Sequence, residues 1–218
     1  MKHRDRMRLL LIAIVALAFG ASASAASGST TALWHMDETS GTTMHDSAGS
    51  NNGTLKNVKL GQAGVRGKAY SFNGSSSIVT VPSKAALNPG ANDFSFVVNV
   101  KFSQVPPGDY DLLRKGLSST AGGDYKMEVL HSGKAMCHFE GSSGSSTKTA
   151  GPNLADGSWH TITCKKTASQ IILTVDGASY PKSATVGAIS NGAVLTVGAK
   201  SSGGDWYKGL MDEVTLSR

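Results

Sequence analysis

The chain has 218 residues with a formal net charge of +6, of which 39% are hydrophobic and 17% charged, with 26 glycines and two cysteines. That length holds one substantial core, and the glycines are interspersed among apolar runs in no collagen-like repeat, which excludes a fibrous or wholly disordered chain. Setting aside the four basic and one acidic residue among the first 25 leaves +3, too little and too scattered for a nucleic-acid footprint.

Lys2, Arg4, Arg6 and Arg8 precede an apolar run from Leu9 to Phe19, and Ala23-Ser24-Ala25 offers the small residues that a signal peptidase cuts after. Eleven apolar residues fall short of the roughly 20 that cross a bilayer as a helix. Residues 1–25 are therefore read as a secretory signal, and 26–218 as a single exported domain without stable membrane insertion.

Thr31 to Met36 reads as the opening strand. Two polar loops follow, at 37–41 and 46–53, the second rich in Asp, Asn, Ser and Gly, which turn the backbone through their own side-chain hydrogen bonds or through positive φ. Lys68 to Phe72 and Ile78 to Val81 are short strands around Asn73-Gly74, and Pro82 and Pro89 bracket a short helical turn at Ser83 to Leu87. Phe94, Phe96, Val98, Val100 and Phe102 alternate with Ser95, Asn99 and Lys101, the pattern of a strand with one dry face. Tyr110 to Lys115, Tyr125 to Leu130 and Ala135 to Phe139 continue it, joined by Gly/Ser-rich connections at Gly116 to Gly123 and Gly141 to Ser146.

From Trp159 to Lys166 and from Gln170 to Val175, β-branched residues build an antiparallel hairpin that buries one face. Asp176-Gly177 turns the chain once more, because glycine takes a positive φ without steric cost. Ala184 to Val186, Val194 to Val197 and Leu210 to Leu216 complete the set. Many short strands between turn residues favour a double-sheet sandwich or jelly roll over an α/β enzyme. Cys137 and Cys164 each fall in an expected strand. Export permits a disulfide between them, and two buried thiols are the other reading.

The motifs ALWHMDE at 32–38, DSAG at 46–49, AYSFNG at 69–74, DFSF at 93–96, DGSWHTI at 156–162, VDG at 175–177 and GLMDEV at 209–214 together resemble a laminin-G-like domain of the concanavalin A-like lectin/glucanase superfamily. The resemblance implies an all-β, concanavalin A-like jelly-roll sandwich of two antiparallel sheets. It also implies a structural Ca²⁺ where the loop after the first strand approaches the carboxy-terminal strand, with Asp46, Asn51 and Asp212 as the carried-over ligands. Calcium takes six to eight oxygens and accepts backbone carbonyls. The alternative is that Asp46 and Asn51 cap turns while Asp212 bonds the backbone.

Fold does not decide activity, and this superfamily holds both binding domains and enzymes. The leading expectation is non-catalytic recognition of an extracellular glycan or glycoprotein through exposed aromatic rings, which cover the apolar faces of sugars. Trp206, Tyr207, Tyr110 and Tyr125 are the candidates, because they border polar, glycine-rich segments; Trp34 and Trp159 read as core. A hydrolase or lyase is the enzyme alternative. Hydrolysis needs paired carboxylates, for which Asp124, Glu128 and Glu140 are the candidates, Asp124 and Glu128 sharing one side of a regular strand. A lyase would draw on His131, His138 or His160 with Tyr125 or Lys126. A structural or adhesion domain is the third reading.

Overall fold

The structure is a computed structural model that describes residues 28–218; the expected signal segment lies outside them. In chain order the strands are β1 (Thr30–Trp34), β2 (Thr43–Met44), β3 (Gly53–Lys56), β4 (Lys59–Ala63), β5 (Lys68–Asn73), β6 (Ile78–Val81), β7 (Phe94–Lys101), β8 (Tyr110–Lys115), β9 (Asp124–Val129), β10 (Ala135–Gly141), β11 (Gly144–Ala150), β12 (Trp159–Lys166), β13 (Gln170–Val175), β14 (Ala178–Ser183), β15 (Leu195–Val197) and β16 (Lys208–Ser217), with one 3₁₀ turn at Ala85–Leu87.

They form two eight-stranded antiparallel sheets. The first runs β14-β13-β12-β7-β16-β5-β4, and the second β11-β10-β9-β8-β15-β6-β3-β2. In the first sheet, β16 lies beside β7 on one edge, while its other edge is shared by β5 over Lys208–Met211 and by β1 from Val214 onward. A register shift between Asp212 and Thr215, with Glu213 at φ 48°, separates the two halves.

Strict alternation along β7, buried at Phe94, Phe96, Val98 and Val100, sets the inner face, and β12 matches it with His160, Ile162, Cys164 and Lys166 turned inward. The aromatic core has two centres. Phe94, Phe96, Tyr125 and Phe139 pack with ring centroids 4.9–5.7 Å apart, and Phe72, Phe102, Tyr110 and Tyr207 pack at 5.4–6.0 Å. Offset and edge-on ring pairs of this kind add to area burial.

Cys137 and Cys164 are joined, with their Cα atoms 5.6 Å apart. They belong to β10 and β12, which lie in opposite sheets, so the bond ties the layers through the core and does not link adjacent strands. Three local expectations are corrected. The connection at 141–146 contains the start of β11; the strand after Asp176-Gly177 is β14, with no strand at 184–186; and Trp159, on the outward side of β12, is half-buried, whereas Trp34 is fully buried with Nε1 donating to Asn51 O at 2.8 Å.

Candidate functional site

The strands of the second sheet turn one side chain in two away from the core. Because register is continuous, these outward residues form a row: Thr147, His138, Lys126, Arg114, Thr196, Thr80 and Thr54 lie opposite one another from β11 to β3. Beside that row stand Asp124, Glu128 and Glu140, on the same faces of β9 and β10 by the two-residue period. The result is a polar sheet face facing away from an apolar core.

Loops cover part of it. Gly116 sits at φ 90°, and a Cβ there would come 2.9 Å from Asp124 Cβ, so the following loop folds tightly over Asp124. The segment after β15 returns along β8, where Asp111 N donates to Asp205 O at 2.9 Å. Between these loops opens a depression of about 430 Å³ floored by Arg114, Asp124, Lys126 and His138 and walled by Leu117, Ser118, Lys200 and Ser202.

Its electrostatics are organised around Arg114. Nε lies 3.0 Å from both Asp111 oxygens, and Nη2 lies 2.6 Å from Glu128 Oε1, which also accepts from Lys126 Nζ at 2.6 Å. Asp111, Glu128 and Arg114 are almost fully buried. Asp111 and Arg114 are three residues apart in a strand, a spacing that regular alternation would put on opposite faces, and sequence reasoning missed them; the register shift between Asp111 and Leu113 is what turns both outward. Asp124 is also buried, and its Oδ1 has no hydrogen-bond partner. Desolvation pushes the Asp124 pKa up against the opposing pull of His138 and Arg114, and burial pulls His138 down.

The four aromatic candidates divide sharply. Tyr207, Tyr125 and Tyr110 are buried and so are corrected from ligand contacts to core residues. Each finds a backbone acceptor for its hydroxyl: Tyr207 donates to Leu210 O at 2.8 Å, Tyr125 to Leu87 O at 2.9 Å, and Tyr110 to Gln104 O at 3.3 Å. The apolar rings fill inter-sheet space while the hydroxyls reach the layer's edge. Trp206 alone of the four stays partly exposed, one residue out of phase with Tyr207. It lines a second depression of about 390 Å³ with Gln104, Pro107, Asp109, Asp205 and Lys208.

The carried-over calcium ligands do not assemble as one donor set. Asp46 Oδ1 accepts from Leu33 N and Ala48 N, and Oδ2 from Asn51 N and Nδ2, all within 2.8–3.0 Å. Asp212 accepts from Arg66 N and Glu213 N, both at 2.9 Å, and shares no partner with Asp46. Four N–H donors around Asp46 suit a bare carboxylate that fastens a loop to β1, and they occupy the directions a cation would take. Asn51 Oδ1 is buried without a partner, a single oxygen where calcium takes six to eight. The residues present do not fit a calcium centre.

The histidines named for acid–base chemistry do not converge. His131 contacts Pro106 O, His160 sits between Asp156 and Asp176, and His138 alone lies on the polar sheet face.

Two antiparallel sheets around one core, with a polar outer face and a side depression carrying a tryptophan, define a jelly-roll sandwich of the lectin-like kind. The chain belongs to the concanavalin A-like lectin/glucanases superfamily, whose family model matches residues 73–218. No curated protein matches the sequence. Among solved structures, domain 4 of AbnA, an extracellular GH43 arabinanase from Geobacillus stearothermophilus, in complex with arabinotriose, superposes with a TM-score of 0.65 at 17% identity, covering 88% of this chain and 93% of that one. The binding domain of Paraclostridial Mosquitocidal Protein 1 gives 0.66 at 15% identity, covering 87% of this chain and 48% of that one. The binding domain of botulinum neurotoxin DC in complex with SialylT gives 0.62 at 11%, covering 87% and 48%. The chain thus spans about half the length of the toxin binding domains it resembles.

Proposed function

We propose that this protein is an exported, non-catalytic module that binds an extracellular glycan, free or on a glycoprotein, with Trp206 as its stacking platform. The observation that carries this reading is the sorting of the aromatic candidates: three are sealed in the core, while Trp206 borders an open depression where Gln104, Asp109, Asp205 and Lys208 supply hydrogen-bonding groups. A flat ring beside a few orienting polar groups is the chemistry that recognises a sugar's apolar face and its hydroxyls. Arabinotriose bound to a similarly folded arabinanase domain supports the same ligand class. Export is supported by the amino-terminal pattern and by the disulfide, which persists in oxidising compartments. Among the described residues no helix is long and apolar enough to cross a membrane.

The test is a glycan array followed by titration of the best hit. Trp206→Ala is expected to weaken binding by about tenfold or more, equivalent to ~1.4 kcal/mol, while Trp159→Ala, on β12 and outside this depression, leaves it unchanged. Equal affinity for Trp206→Ala and the parent would remove the proposed platform. Release of new reducing ends from a bound polysaccharide would replace the reading with hydrolysis, although Glu128 is held by both Arg114 and Lys126 and so is poorly placed to donate a proton.

A further inference from the structure

Two groups of acidic and imidazole side chains in the second sheet bring one ligand atom per residue within 4.8 Å of one another: Asp111, Glu128 and Asp205, and Asp124, His138 and Glu140. The first group is already filled, because the Arg114 guanidinium lies between Asp111 and Glu128 and Lys200 pairs with Asp205. In the second group, the ion-pair partner of both Asp124 and Glu140 is His138.

We propose that Asp124, His138 and Glu140 form a site for a divalent first-row transition ion such as Zn²⁺ or Co²⁺. Geometry is the first support. His138 Nε2 is 3.5 Å from Asp124 Oδ1 and 3.9 Å from Glu140 Oε2. Both distances exceed the range of a direct N–H···O hydrogen bond, roughly 2.7–3.2 Å. Two ligands at about 2.1 Å from a tetrahedral zinc are about 3.4 Å apart, so the spacing is that of atoms facing each other across a metal.

The second support is independent of that spacing. Asp124 is buried, yet Oδ1 finds no hydrogen-bond donor, a costly state for a carboxylate unless it is protonated or faces a cation. The imidazole is also oriented for the task. His138 Nδ1 is 2.8 Å from Thr147 Oγ1. With the proton on Nδ1 donated to that hydroxyl, the Nε2 lone pair points at Asp124 and Glu140, the arrangement by which an outer partner sets a metal-ligating histidine. Local charge agrees. Arg114 and Lys126 bond directly to Asp111 and Glu128 and reach Asp124 only as longer-range charges, so neither forms an ion pair with Asp124 or Glu140. A dication balances those two carboxylates, and the partial exposure of His138 and Glu140 gives it an entry path. One imidazole nitrogen with two carboxylate oxygens favours borderline ions over calcium.

This goes beyond the glycan reading, and its test contains no glycan. The full chain, stripped with chelator, is titrated with Co²⁺ and Zn²⁺, followed by calorimetry and by the visible Co²⁺ absorption bands. The expected result is one saturable site with visible bands, lost in His138→Gln and in Asp124→Asn and weakened by about tenfold in Thr147→Val. Ca²⁺ in excess leaves the Co²⁺ bands intact. Should Asp124→Asn fail to fold, His138→Gln, at a more exposed position, answers the question by itself. Absence of saturable binding, affinity unaltered in His138→Gln, or displacement of Co²⁺ by Ca²⁺ would overturn the proposal.

Discussion

Arg114 shows how one side chain organises a surface. Its guanidinium bonds two buried carboxylates, and burial of such a group is tolerable only while its partners stay in place. Arg114→Met removes the charge but leaves Asp111 and Glu128 sealed from water beside each other. The expected loss is about 3–5 kcal/mol, read as a lower denaturation midpoint in urea with an unchanged slope. Lys115 makes the contrasting case one residue later on the inward face. Its ammonium is held by Ser83 Oγ, Ala193 O and both the backbone and side-chain oxygens of Asn191, while desolvation pulls its pKa down to about 8. A strand's two-residue period thus places a buried network on one face and a sealed cation on the other.

Among the elements, the first two strands of the β12–β13–β14 meander follow their sequence most closely. Asp176 at φ 49° and Gly177 at φ 83° close a two-residue turn between Val175 and Ala178, which face each other in register. Both central residues having positive φ matches the right-handed strand twist. At the sheet's edge, β14 carries Pro181 and Lys182, residues that discourage a further strand from pairing there. The disulfide anchors this meander's first strand to β10. Its cysteines are 27 residues apart in sequence. In the chain-entropy account, Cys137→Ser with Cys164→Ser lowers stability by about 3–4 kcal/mol. Chemical denaturation of the double variant beside the oxidised parent measures that difference; equal midpoints would show that the link adds no net constraint.

At the scale of the whole molecule, β16 joins β1, β5 and β7 and so brings the two ends of the described chain together. At one end of the same sheet, His160 Nδ1 lies 2.7 Å from Asp176 and Nε2 lies 3.1 Å from Asp156. Burial by itself would lower the imidazole pKa, but the two carboxylates outweigh it and raise it above the ordinary value. Asp156 is held low by the Ser158 amide and then by His160. A raised histidine pKa stabilises the fold below the unfolded value of about 6.5 and loses that effect as pH climbs through the folded value. A depressed aspartate pKa stabilises above about 3.9 and loses that effect as pH falls through its folded value. The raised His160 and the lowered Asp156 therefore contribute most between about pH 4 and about 6.5. His160→Gln is expected to lower Tm more at about pH 5.5 than at about pH 8.5, and an equal deficit at both would show that packing, not charge, is what the histidine provides.

The sequence by itself determined the all-β class, the long alternating strands, the Asp176-Gly177 turn and the order of motifs that marks the superfamily, because strand alternation and turn chemistry are local. It also placed Asp124 and Glu128 on one strand side. Shorter or polar strands such as β2, β4 and β11 had too little alternation to read, since their pairing depends on neighbours distant in sequence. Tertiary structure alone decided which aromatics were covered, that Asp46 and Asp212 serve different backbone segments, that the cysteines span opposite sheets, and that His138 meets Asp124 and Glu140. Each of these depends on cross-strand register and layer packing, which bring together residues whose separation along the chain carries no sign of their contact.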